Sequence, residues 1–137
     1  MSKTCGIRVS EAQAEQAVVE LFELYGWKVY RLREDITRGV PGVPDLLAQS
    51  KCNMELWVEL KRPPSSRNPR GHVRAAQIRW LIEARRRGVP CCVLDGASES
   101  ATAIAEEFAT GSMLHSYEFL LQRCDVAMVQ YAWWPVK

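Results

Sequence analysis

Asp45-Leu-Leu-Ala-Gln49, Ser50-Lys-Cys-Asn53, Met54-Glu-Leu-Trp-Val-Glu-Leu-Lys61: two short apolar runs around a four-residue turn decide how this chain is organised. The second run alternates, and the two-residue period of a strand sends Leu56, Val58 and Leu60 to one face. Glu59 and Lys61 fall on the other. Asp45 to Gln49 reads as the partner strand, with Ser50 to Asn53 as turn formers, so the pair predicts an antiparallel hairpin. With the turn centred near Lys51 and Cys52, Asp45 lands opposite Val58 or Glu59. Neighbouring strands lie about 4.8 Å apart, close enough for two carboxylates to share a divalent cation.

That grouping suits phosphodiester hydrolysis. Hard oxygen ligands hold Mg²⁺, which offsets charge on the phosphate and acidifies a bound water, and a nearby ammonium can steady the reacting atoms. The bland alternative is a surface hairpin with solvated acids and a lysine paired to Glu59.

Around the hairpin the pattern extends. Ser10 can cap a helix with Gln13 as its capping-box partner, and Ala14, Val18, Leu21, Phe22 and Tyr25 make the apolar stripe up to Gly26. Trp27 to Leu32 reads as the first strand. Gly39-Val-Pro-Gly-Val-Pro44 then fixes the approach to Asp45, with Pro44 placing the strand start just after it. After the hairpin, Val73, Ala76, Trp80, Leu81 and Ala84 mark the core face of a second helix, Gly88 stands as its C-cap, and Pro90 to Leu94 is another strand. The order α-β-β-β-α-β predicts an α/β fold with a mixed central sheet flanked by helices.

Arg38-Gly-Val-Pro-Gly-Val-Pro-Asp45, Trp57-Val-Glu-Leu-Lys-Arg-Pro63 and Gln77 on the following helix resemble the PD-(D/E)XK nuclease superfamily, and within it the VRR-NUC group, whose stand-alone members are small phage and bacterial proteins. The likeness runs from about Ser10 to Asp95. It implies a restriction-endonuclease-like core and a Mg²⁺- or Mn²⁺-dependent DNA endonuclease. It also implies metal ligands at Asp45, Glu59 and the Leu60 carbonyl, a catalytic lysine at Lys61, and Gln77 beside them. Glu15, eleven residues before Gly26, matches the helix glutamate of the site, with Glu11 one turn earlier as the alternative. Relatives act on branched DNA such as four-way junctions and are homodimers. The competing functions are a restriction-like or nicking nuclease on duplex DNA and a non-catalytic DNA-binding subunit.

Composition narrows the class. At 137 residues the chain is near the usual size of one domain, read here as 1–137 with a core over about 10–95 and a helical extension over about 97–137. A net charge of +2 does not announce nucleic-acid binding, so DNA contact must come from where the arginines lie. Arg38, Arg62, Arg67, Arg70, Arg74 and Arg79 surround the proposed site and are the phosphate-binding candidates. Arg31 and Arg33 also precede Asp45. Arg85, Arg86 and Arg87 sit in a helix's last turn, where a solvated cap is as good a reading. Five cysteines without C-x-x-C spacing and two histidines support neither a zinc ribbon nor a histidine-centred nuclease site. No apolar run is long enough for a membrane span, which predicts a cytoplasmic protein. Ser98 to Ala109 and Tyr117 to Arg123 read as further helices. Trp133 and Trp134 read as core or interface residues before base-stacking ones.

Overall fold

The computed structural model describes residues 10–32, 40–51, 53–61, 73–96, 98–108 and 117–130. Helix α1 (Glu11–Leu24) is followed by strands β1 (Lys28–Arg31), β2 (Leu46–Gln49) and β3 (Glu55–Leu60). Helix α2 (Ala75–Arg86), strand β4 (Cys91–Leu94), and helices α3 (Glu99–Glu107) and α4 (Tyr117–Val129) complete the order. The sheet runs β1-β2-β3-β4 in space, antiparallel at the first two pairings and parallel between β3 and β4. A parallel pair needs a crossover, and α2 supplies it.

Local chemistry explains the boundaries. Ser10 Oγ accepts from the Gln13 N–H while the Gln13 side chain accepts from the Ser10 N–H, so both ends of a capping box are made at α1. The hairpin turn closes through Ser50 and Met54, with Asn53 in the left-handed region at φ 65; asparagine tolerates that conformation better than most residues. Leu46 pairs with Val58 and Ala48 with Leu56, so the buried apolar residues of β2 and β3 share one face. On that face lie Val18 and Phe22 of α1, also fully buried.

The helices beyond β4 are part of the same core. Ile104, Ala105 and Phe108 at α3, with Leu120, Cys124, Ala127 and Met128 of α4, are all essentially inaccessible. Trp27 Nε1 donates to the Ala105 carbonyl at 3.0 Å, joining the entry to β1 to α3. The expected extension is therefore a wall of the domain. Arg85 also departs from the solvated-cap reading: its guanidinium donates to the Leu121 carbonyl and pairs with Asp125, tying α2 to α4. Arg87 pairs with Glu83 one turn back, as a surface arginine does. Cys91 and Cys92 are buried free thiols on successive strand positions, and burial pushes both up in pKa. Cys5, Cys52, Trp133 and Trp134 lie outside the described residues.

Candidate active site

Asp45 stands one residue before β2, and extending the β2–β3 register places it across from Glu59. Its backbone and side chain both act as ladder members. The Asp45 carbonyl accepts from Leu32 N–H at 2.8 Å, and Oδ2 accepts from Leu60 N–H at 3.0 Å. A strand residue's N–H and C=O point to the same edge, so the Leu60 carbonyl also faces the Asp45 side.

What holds Asp45 there is the preceding loop. Gly42 has φ +86, and a Cβ at that position would lie 2.2 Å from the Ala76 carbonyl oxygen. Only glycine lets the loop backbone press onto the first turn of α2 in this conformation. Pro44 is buried behind it. The Gly-Val-Pro-Asp segment is thus packed directly on the helix that carries Gln77.

Glu59 projects from β3 toward α2 and is 1% exposed. Lys61 Nζ lies 3.1 Å from its Oε2, and Gln77 Nε2 donates to the same oxygen at 2.8 Å. The Gln77 amide has no freedom to turn away: its Oε1 accepts from Arg74 N–H at 2.9 Å, which leaves the NH₂ aimed at the carboxyl. Gln77 and Lys61 are themselves buried, at 5% and 7% exposure. The other carboxyl oxygen, Glu59 Oε1, is buried with no partner among the described residues. An unpaired buried oxygen of this kind is costly and calls for an account.

Electrostatics point the same way. Burial is the largest influence on Glu59 and the Asp45 charge the next; Lys61 and Arg74 oppose them only in part, and the carboxyl is pushed up to about 8. Near neutral pH a single lysine therefore does not suffice to keep this acid ionised. A second positive charge on the Oε1 side would.

The structure brings Asp45, Glu59, Lys61 and Gln77 together. Glu15 is placed elsewhere: its Oε2 lies 3.4 Å from Arg31 Nε, and Arg31 also donates to Gln16 at 2.7 Å. Arg31 pairs with Leu46, on the sheet face opposite Glu59. The glutamate expected to complete the acids is thus engaged by Arg31, and among the described residues no group of three metal-ligating side chains forms. The side chain of Glu11 lies outside the described ones. Arg74 and Arg79 are exposed on α2; Arg33, Arg38, Arg62, Arg67 and Arg70 lie outside the described residues. Asp95, immediately after β4, has a buried Oδ1 without a partner among the described residues. The sequence offered no signal for it beyond its place at a strand end.

A scan against models of protein families and a search of curated proteins find no match. Among solved structures the chain is similar to one described as a VRR_NUC domain, with a TM-score of 0.53 and 22% identity, over 71% of this chain and 90% of that one. The likeness establishes the fold: a mixed α/β sheet of the VRR-NUC kind flanked by helices. No described helix is long and apolar enough to cross a membrane.

Proposed function

We propose that the chain is a divalent-metal-dependent DNA endonuclease of PD-(D/E)XK type. The observation that supports this most directly is the divided carboxyl of Glu59: one oxygen is saturated by Lys61 and Gln77, and the other is buried, without a partner among the described residues, on the strand next to Asp45. A cation satisfies that arrangement. Asp45, Glu59 and the Leu60 carbonyl are all hard oxygen donors, the set that suits Mg²⁺ or Mn²⁺ with water completing the shell. Glu15 has a partner in Arg31, so we leave it out of the ligand set.

When bound, such an ion supplies a Lewis acid for the phosphate and a more acidic water. The chain's own groups do the rest. Gln77 fixes the Glu59 carboxyl against rotation through its bond to the Arg74 backbone, and β3 holds Asp45 through the Leu60 N–H. Lys61, set on the same carboxyl, supplies an ammonium that would orient an attacking water and offset charge developing on the phosphate in the transition state. Arg74 and Arg79 offer phosphate contacts along α2. Selectivity for branched DNA and assembly as a homodimer belong to this proposal through the family resemblance; two-fold symmetry would let one particle cut two strands.

The deciding assay incubates purified protein with Mg²⁺ or Mn²⁺ against four-way junction, flap, linear duplex and single-stranded DNA. Metal-dependent cleavage concentrated on the branched substrates is the expected result. Equal cutting of plain duplex would replace structure selectivity with a restriction-like or nicking activity. Binding without cleavage under either ion would refute the nuclease assignment.

A further inference from the structure

Trp57 lies two positions before Glu59, on the same face of β3, and its ring meets Trp80 of α2 with centroids 5.4 Å apart and planes tilted at 52°. Neither ring is fully covered. Between them and the loop opens a hollow of about 550 Å³, whose lining includes Pro41, Trp57, Arg79, Trp80 and the paired Glu83 and Arg87. That volume is in the range of pockets that take small aromatic ligands. A smaller hollow of about 200 Å³ shares Trp57 and Val89 and reaches Tyr117, a residue 45% exposed.

Resting on the nuclease reading of the neighbouring site, we propose that this hollow receives an unpaired nucleobase of the strand being cut. Its position fits. A step of two strand residues is about 6.6 Å, and a stacked strand advances about 3.4 Å per nucleotide, which puts the hollow one or two nucleotides from the scissile phosphate. Ala76 in its wall adjoins Gln77, and Pro41 adjoins Gly42 of the Asp45 mount. Its chemistry fits as well: indole faces and a proline ring offer stacking to any base, independent of sequence.

Charge separates this occupant from an apolar protein segment. Arg79 is exposed and forms no ion pair among the described residues, whereas the Arg87 at the far rim is neutralised by Glu83. An aromatic floor with one free guanidinium on the catalytic side matches a base followed by its phosphate. The substrate class that follows is DNA with a single-stranded or unstacked nucleotide flanking the cut.

The test uses wild-type protein with EDTA, so that nothing is cleaved, and duplexes with a short single-stranded flank. 2-Aminopurine is placed at successive flank positions, and matched probes carry an abasic nucleotide there. One or two positions should show quenching on binding, and the abasic probe at those positions should bind about 5- to 150-fold more weakly, the value of one stacked base. Trp80→Ala should bring the intact probe down to the abasic level and leave the abasic probe unchanged. Circular dichroism checks its folding; Arg79→Gln, at an exposed position, gives a second variant that should weaken flanked probes more than blunt duplex. Equal binding of intact and abasic probes by wild type would overturn the proposal. So would a Trp80→Ala protein that changes sedimentation while keeping DNA affinity, because the hollow would then be a subunit contact. Base-dependent binding without cleavage under any divalent ion would support the hollow and refute the nuclease assignment, so the two fail separately.

Discussion

Replacing Glu59 with glutamine should stabilise the metal-free fold at neutral pH while abolishing activity, and the size of the gain should depend on pH in a defined way. The carboxyl titrates near 4.5 when unconstrained and at about 8 in the fold, chiefly because it is buried and faces Asp45. A raised acid pKa means that the folded state holds the proton more tightly than the unfolded one. The stability of the protonated fold is therefore intact below about pH 4.5 and declines as pH rises toward 8. Between about pH 5 and pH 7.5 the decline attributable to this one group is about 3 kcal/mol at most, from the two titration curves at 1.36 kcal/mol per unit. That is a sizeable share of the roughly 5–15 kcal/mol that holds an average domain together. Glu59→Gln keeps the shape and cannot ionise. Altered bonds to Lys61 and Gln77 shift its whole stability curve, but the slope belongs to the carboxylate. Urea unfolding of both proteins at several pH values in EDTA should show the glutamine variant gaining on the wild type steadily from about pH 5 to about pH 7.5. Parallel curves across that interval would refute the claim that a strained, ionisable acid sits at the centre of this fold.

Lys61→Ala should lose cleavage while retaining most DNA affinity; undiminished turnover would remove the ammonium from the reaction. Asp45→Asn should weaken Mn²⁺ binding in calorimetry about tenfold or more, and unchanged binding would exclude it as a ligand. Gly42→Ala forces a Cβ onto the Ala76 carbonyl at positive φ, so it should cost about 1–3 kcal/mol of stability and lower kcat; a neutral result would mean the loop does not rest on α2. Leu120→Ala, in the fully buried seam of α4, should cost about 2–5 kcal/mol in denaturant unfolding, and a loss below about 1 kcal/mol would make α4 peripheral.

Much of the architecture was legible because it is written in short-range chemistry. Alternation in residues 54–61, turn formers at Ser50 and Asn53, the Ser10 cap and Gly88 at φ 75 each fix local geometry without help from distant residues. The hairpin and its register to within one residue follow from those signals, and the pairing of Leu46 with Val58 settles Asp45 opposite Glu59 rather than Val58. Partner choice across the fold does not. Glu15 and Glu11 lie on one helix with similar spacing, and only the tertiary path of β1 brings Arg31 to Glu15. Arg85 looks like its neighbours Arg86 and Arg87 until α4 supplies Asp125 and a carbonyl. Trp80 lies on the helix's apolar stripe with Leu81 and Ala84, yet unlike Leu81 it stays partly exposed where it meets Trp57 of β3. Helical period reports which side faces inward; it carries no record of where the neighbouring layer stops.

The bond from Trp27 to the Ala105 carbonyl, and the sealed positions of α3 and α4, also bear on how the molecule is made. A chain emerging from the ribosome can form the hairpin and its crossover early, but the surface meant for those last helices stays wet until Val129 has cleared the exit tunnel. The buried face that α3 and α4 cover is thus completed last, after every residue of the Asp45–Glu59 hairpin has been made.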